Sequence, residues 1–239
     1  MSIWGTQAVY DGGVMAADAA VDERVAFIRR TYAHLLMAVL AFVGLESVLF
    51  QTGVAERLFE FAYGTQYGYL IVIGLYMVVG YFADRMAHSG ASEAAQYAAL
   101  AVFIAAESVV FGPLLFMAAV YSDPQVIPAA AITTLTIFGG FSLVVLLTKK
   151  DFSFLGPALA IASFAALAFI LCSLVFGLGG LGVLIPVGMV VLMCGYILYY
   201  TSQVIHHYRT DQHVSASLAL FATIATLFWY VLILFMRRD

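Results

Sequence analysis

Two carboxylates, Glu46 and Glu107, stand well inside long apolar stretches of this 239-residue chain. An ionisable group at that depth is costly, and its usual employment is an ion or proton path, or a bond to a neighbouring helix. Both begin the same local pattern, Glu-Ser-Val-x-Phe, at residues 46–50 and 107–111. Two readings stand for each acid. In one it lines a polar cavity and exchanges ions or protons. In the other it hydrogen-bonds to a neighbouring helix, with Glu46 reaching the outer interface.

Other residues extend the candidate chemistry. Gly112-Pro113 follows Glu107 closely, and proline removes a backbone donor and displaces the carbonyl four residues earlier, on Val109. Such a break is tolerated at membrane depth where the freed groups meet protein or water. An acid one to two turns from it is a reasonable ion-path element, against the plainer reading of a packing kink; Pro186 reads the same way. Asp84-Arg85 ends an apolar run. Arg85 is either a snorkelling interfacial anchor or half of a gating pair.

Several patterns lead nowhere. Gly177 through Gly182 satisfies G-x-G-x-x-G literally, but joins two apolar runs with no strand before it and no acidic ribose partner after it. His206, His207 and His213, with His34 and His88, match no standard zinc spacing. Cys172 and Cys194 fall in apolar runs and read as packing thiols. Neither a nucleophile elbow nor a phosphate loop is present.

The elements that must position these residues are apolar runs near the ~20 residues a bilayer requires. They are Thr31–Gln51, Tyr67–Phe82, Ala95–Tyr121, Val126–Leu147, Phe154–Phe176, Val183–Tyr200 and Val214–Met236. Asp123-Pro124, Lys149-Lys150-Asp151, Gly156-Pro157 and the polar stretch 206–213 punctuate them. Hydrophobic residues make up 64% of the chain, charged ones 10%, and mean hydropathy is +1.02. No soluble domain of this length needs that much apolar surface, so the solvent is lipid. The expected fold is all-α: a polytopic bundle of seven transmembrane helices, with a polar cytosolic segment over 1–25 and one membrane domain over 26–239.

Short connections leave no room for a soluble activity. With a net charge of −4 and no basic run, nucleic acid is a poor partner. Residues 1–25 lack the pattern of a cleaved signal, so the first span is expected to direct its own insertion. With the N-terminus inside, Arg24, Arg29, Arg30, Arg85, Lys149, Lys150 and Arg209 fall on the cytosolic side, against Arg57, Arg237 and Arg238 outside. That balance favours N-terminus in. The chain has no Asn and hence no N-glycosylation site, which fits a bacterial inner membrane.

The stretch Thr148-Lys149-Lys150-Asp151-Phe152-Ser153-Phe154-Leu155-Gly156 resembles the loop after the fourth span of the Bax inhibitor-1 family, the bacterial YccA-like branch included. Glu107 through Leu115 is similar to the family's Gly-Pro segment. Gly195 through Tyr208 resembles the end of its sixth span. Thr210-Asp211-Gln212-His213-Val214 resembles its final loop. Together these cover the chain from the second span onward.

The resemblance implies a central last helix wrapped by six others, and a pH-sensitive leak of calcium or other cations. In that scheme two aspartates share a proton near the cytosolic face, and an arginine latches against the first. Like charges held close titrate as a coupled pair. Arg85 matches the latch. Tyr200 and Thr223 stand where the aspartates would be, Thr226 replaces a polar amide, and Ile233 falls where arginine is common. A Tyr–Thr pair can hydrogen-bond but does not titrate near neutrality.

The leading expectation is therefore a non-enzymatic cation leak or sensor without the aspartate pair. Glu107 would be its principal charge, Arg85, Tyr200 and Thr223 would shape its inner closure, and calcium would be held weakly, with no other cofactor. A rival reading, also carried by the resemblance, is a modulator of a membrane-bound quality-control protease. A third is an intramembrane zinc hydrolase.

Overall fold

A computed structural model describes residues 13–88, 93–176 and 183–237. Among them the secondary structure is helical: α1 (Val21–Gln51), α2 (Val54–Gly64), α3 (Gly68–His88), α4 (Glu93–Tyr121), α5 (Val126–Thr148), α6 (Leu155–Phe176), α7 (Leu184–His206) and α8 (His213–Met236). Five of them, α1, α4, α5, α7 and α8, are long and apolar enough to cross a bilayer. Shorter apolar runs occupy α3, over Leu70–Tyr81, and α6, over Leu155–Ile170. The glycine-rich 177–182 turn lies outside the described residues.

Two features differ from the apolar runs. α1 begins at Val21, ten residues ahead of the expected span. Asp22 and Glu23 sit in its first turn, where the helix dipole favours negative charge. Phe27 is 1% exposed, so packing holds this charged turn in helical form. The second feature is α2, which lies where a plain loop was expected. Gly53, at φ +70°, makes the left-handed step from α1 into it. α2 carries Glu56, Arg57 and Glu60 outward, buries Ala55 and Ala62, and packs on α4 and α3.

α8 is the central helix. It touches α1, α3, α4, α5 and α7. Val214 through Leu218 are buried in succession, a pattern no one-sided stripe produces. Lipid gives no hydrophobic drive for helix association, so close packing of small residues such as Ser215, Ala216 and Ser217 carries it. Phe111 of α4 anchors the contact, edge-on to Trp229 at 5.0 Å and to Phe42 of α1 at 5.2 Å. α6 lies at the periphery against α7, with Ile161 and Phe164 exposed.

Four segments meet at one end of the bundle. Ala16 donates its N–H to the Tyr208 carbonyl, Thr210 its own to Val14, and the Thr210 hydroxyl binds Glu23. The N-terminal approach is thereby paired with the α7–α8 loop. The α5–α6 loop docks on α7 through Ser202, and the start of α4 meets α8 through Gln96 and Ser215. α2 covers the opposite end, where Gly112 of α4 lies close against Ala55 and Leu58.

Candidate functional site

A cavity of about 410 Å³ opens between α3, α4, α7 and α8. Its polar lining is hydroxyl: Tyr196 and Tyr200 from α7, Thr223 and Thr226 from α8, with Phe103 and Gly80 closing the other sides. Tyr200 and Thr223, paired by resemblance alone, do face one space. Thr223 and Thr226 follow one another by three residues and so share a helix face. Each donates its proton to the carbonyl one turn back, Ala219 and Ala222, at 2.8 Å. Their oxygen lone pairs are what remain for a guest. The proton of the Thr223 hydroxyl is thus committed to its own backbone.

α7 distributes three successive residues to three neighbours, as a step of about 100° per residue requires. Tyr200 turns to the cavity, its ring stacked on Tyr196 at 5.7 Å and edge-on to Tyr199 at 5.2 Å. Thr201 turns to Ser142 of α5, at 3.3 Å. Ser202 accepts the Phe152 N–H at 2.8 Å and donates to Asp151 at 3.1 Å.

Glu107 is 3% exposed and engaged by its surroundings. It follows Phe103 by four residues, on the same face, ~21 Å along α4 from Glu93 at 1.5 Å per residue. Thr223 and Thr226 lie ~15 and ~20 Å into α8 from the same end. The acid therefore lies at a depth comparable to that of the two threonines, one helical turn beyond Phe103, and is not among the residues that line the cavity. α4 runs as continuous helix through the buried Pro113, so the expected break is absorbed without interrupting it.

Glu46 is 6% exposed, and neither carboxylate oxygen has a hydrogen-bond partner among the described residues. Nor does it line the cavity. Asp84 and Arg85 fall within α3, but their side chains lie outside the described residues.

One cluster escaped the sequence. His34 of α1 and His213 of α8, 179 positions apart, have ring centroids 4.8 Å apart. His34 Nε2 meets the Tyr97 hydroxyl at 2.7 Å, and His213 Nε2 lies 3.9 Å from Glu93. A polar residue early in a long apolar helix was the only available signal. Among the described residues no three His, Cys, Asp or Glu side chains gather as a metal site. Cys172 and Cys194 are both free.

A bundle of apolar, bilayer-length helices around a buried last helix defines an integral polytopic membrane protein. The family model described as Inhibitor of apoptosis-promoting Bax1 matches residues 24–239, and the chain belongs to this Bax inhibitor-1 family. An uncharacterized Pseudomonas aeruginosa protein is 35% identical over 52% of the chain, a match spanning 56% of that protein. Protein LIFEGUARD 4 of Arabidopsis thaliana is 28% identical, covering 90% of this chain and 86% of its own. Protein lifeguard 4 of Mus musculus is 27% identical, covering 93% and 90%.

Proposed function

We propose that this protein lets cations, calcium among them, pass down their gradient through the space between α3, α4, α7 and α8. In this reading the chain crosses a bacterial plasma membrane seven times, with its N-terminus in the cytosol. Support for the topology comes from the gathering of the N-terminal approach and the α5–α6 and α7–α8 loops at one end, which alternating crossings require. The carrying observation is the convergence of Tyr200, Thr223 and Thr226 on one cavity of about 410 Å³, with the buried Glu107 one helical turn along α4 from Phe103 of its lining. Hydroxyl oxygens and a single carboxylate suit a hard cation. So few charged ligands hold it weakly, and weak binding is what passage needs.

The test is calcium entry into liposomes carrying the purified protein, read by an enclosed dye. Glu107→Gln keeps the shape and removes the charge, and entry is expected to fall at least tenfold. Entry unchanged by this substitution removes Glu107 from the path. No entry through the unaltered, folded protein removes the leak function itself, and a role in partner binding then becomes the better account.

A further inference from the structure

A second cleft lies beside Glu46, between α1, α5 and α8. It holds about 150 Å³ and is walled by apolar side chains, Phe42, Phe221 and Phe228 among them, with Thr134 of α5. α1 and α5 both pack on α8, and the exposed Val43 and Leu135 mark the opening between them. Val39, Phe42 and Val43 are α1's share of the wall. At about 100° per residue, Glu46 falls within the arc of these three, one turn further on. Helical side chains lean toward the N-terminus, so its carboxyl covers the turn that carries Phe42 and Val43. The register with α8 agrees. His34 meets His213 and Phe42 meets Phe221, each pair 179 positions apart, and the same offset sets Glu46 level with Ala225 of the wall.

Neither oxygen of Glu46 nor the Thr134 hydroxyl has a hydrogen-bond partner among the described residues, and the two residues are 6% and 2% exposed. A buried polar group left unpaired carries its full desolvation penalty until a partner arrives. From this we infer that the cleft binds a lipophilic amine, whose ammonium pairs with the Glu46 carboxylate while its apolar body lies among the phenylalanines.

Other occupants satisfy less of the site. A metal cation takes several oxygen ligands, and this wall is mostly hydrocarbon. An acyl chain fills the volume but leaves the acid unpaired. An ammonium needs one counter-charge, brings its own apolar body, and is drawn to aromatic faces. A dry space of roughly 150 Å³ takes a benzene-sized group, and the opening lets a longer tail run out into the lipid. An amine that arrives neutral takes the proton of the acid, so the charge pair forms in place. The inference stands apart from the cation-leak reading, whose cavity is lined by other residues of α8.

The test is equilibrium binding of radiolabelled para-hexylbenzylamine to the full chain in lipid nanodiscs, with empty nanodiscs subtracted. Saturable binding is expected. Glu46→Gln, which keeps the shape, should weaken it at least tenfold. The matching alcohol, para-hexylbenzyl alcohol, should compete at least tenfold less well than the amine. Leu135→Trp, a change at the exposed rim, should weaken binding at least threefold by narrowing the opening. No saturable binding by the folded, unaltered protein overturns the inference. So does equal affinity in Glu46→Gln or in Leu135→Trp, or an alcohol that competes as well as the amine. Loss of binding in Glu107→Gln with retention in Glu46→Gln overturns it by placing the amine in the other cavity. Matching thermal midpoints for the variants separate these effects from unfolding.

Discussion

Ser202 on α7 gives its hydroxyl proton to the Asp151 carboxylate, 3.1 Å away, while taking the N–H of Phe152 at 2.8 Å. The two residues are 51 positions apart, and each belongs to a stretch that carries the family resemblance. Their contact gives that resemblance a physical reason. The Lys-Lys-Asp-Phe-Ser loop is shaped to hold the end of α7, and the end of α7 presents Tyr200 to the cavity two residues earlier.

This clamp predicts an acid response. Asp151 titrates below the usual carboxylate range, chiefly because the Ser153 backbone N–H binds it. The hydroxyls of Ser153 and Ser202 and nearby His207 add to this, and slight burial opposes it. A depressed acid contributes its full stability above its unfolded value, near 3.9, and loses it as pH falls through the folded one. The thermal midpoint should therefore be level in this respect between pH 7 and 5 and decline below about 4. Asp151→Asn should shrink that decline; an identical acid limb in the variant would contradict the clamp.

Phe111 holds α4 against the central helix. It is 2% exposed, stacked parallel on Phe228 at 5.8 Å and edge-on to Trp229 and Phe42. Phe111→Ala should cost about 3–5 kcal/mol through lost contacts and the cavity left behind. Reversible unfolding in mixed micelles measures this, and a loss under 1 kcal/mol would mean that the neighbouring rings collapse into the gap.

The α2–α3 corner depends on a missing side chain. A Cβ at Gly68 would come within 1.9 Å of the Phe61 carbonyl oxygen and 2.4 Å of the Thr65 hydroxyl. Because the first obstacle is backbone, the turn must move. Gly68→Ala should cost about 1–3 kcal/mol, the usual range for overpacking. Gly74, with open space around it, should accept alanine with little change. Equal midpoints for the two variants would remove the steric argument.

Tyr97 and the Arg30 carbonyl engage the two ring nitrogens of His34. The Arg30 carbonyl can only accept, so the Nδ1 it meets at 2.8 Å bears the proton. In the tautomer with its proton on Nδ1, Nε2 accepts the hydrogen of the Tyr97 hydroxyl at 2.7 Å. Tyr97→Phe should cost about 0.5–1.5 kcal/mol and move the Nε2 nitrogen resonance, leaving Nδ1 nearly in place. A shift confined to Nδ1 would assign the opposite tautomer.

Helical class and membrane residence were legible in the residues themselves, because mean hydropathy over about 20 positions needs no knowledge of partners. α2 was not, since Glu56, Arg57 and Glu60 interrupt its short apolar face until α4 supplies the surface it packs against. The early start of α1 was hidden for the same reason: Asp22 through Arg30 read as a charged flank, and the burial of Phe27 makes them helix.

The candidate site divides along the same line. Chain order alone marked Glu107 as an acid deep in an apolar run, and the family resemblance singled out Tyr200 and Thr223. Three-dimensional packing decided that these last two share a space, that Glu46 stands apart from it, and that His34 meets His213. Hydropathy is a sum over neighbours along the chain, whereas a cavity is made where α3, α4, α7 and α8 fail to fill the volume between them. That remainder belongs to the assembled helices and to no one of them.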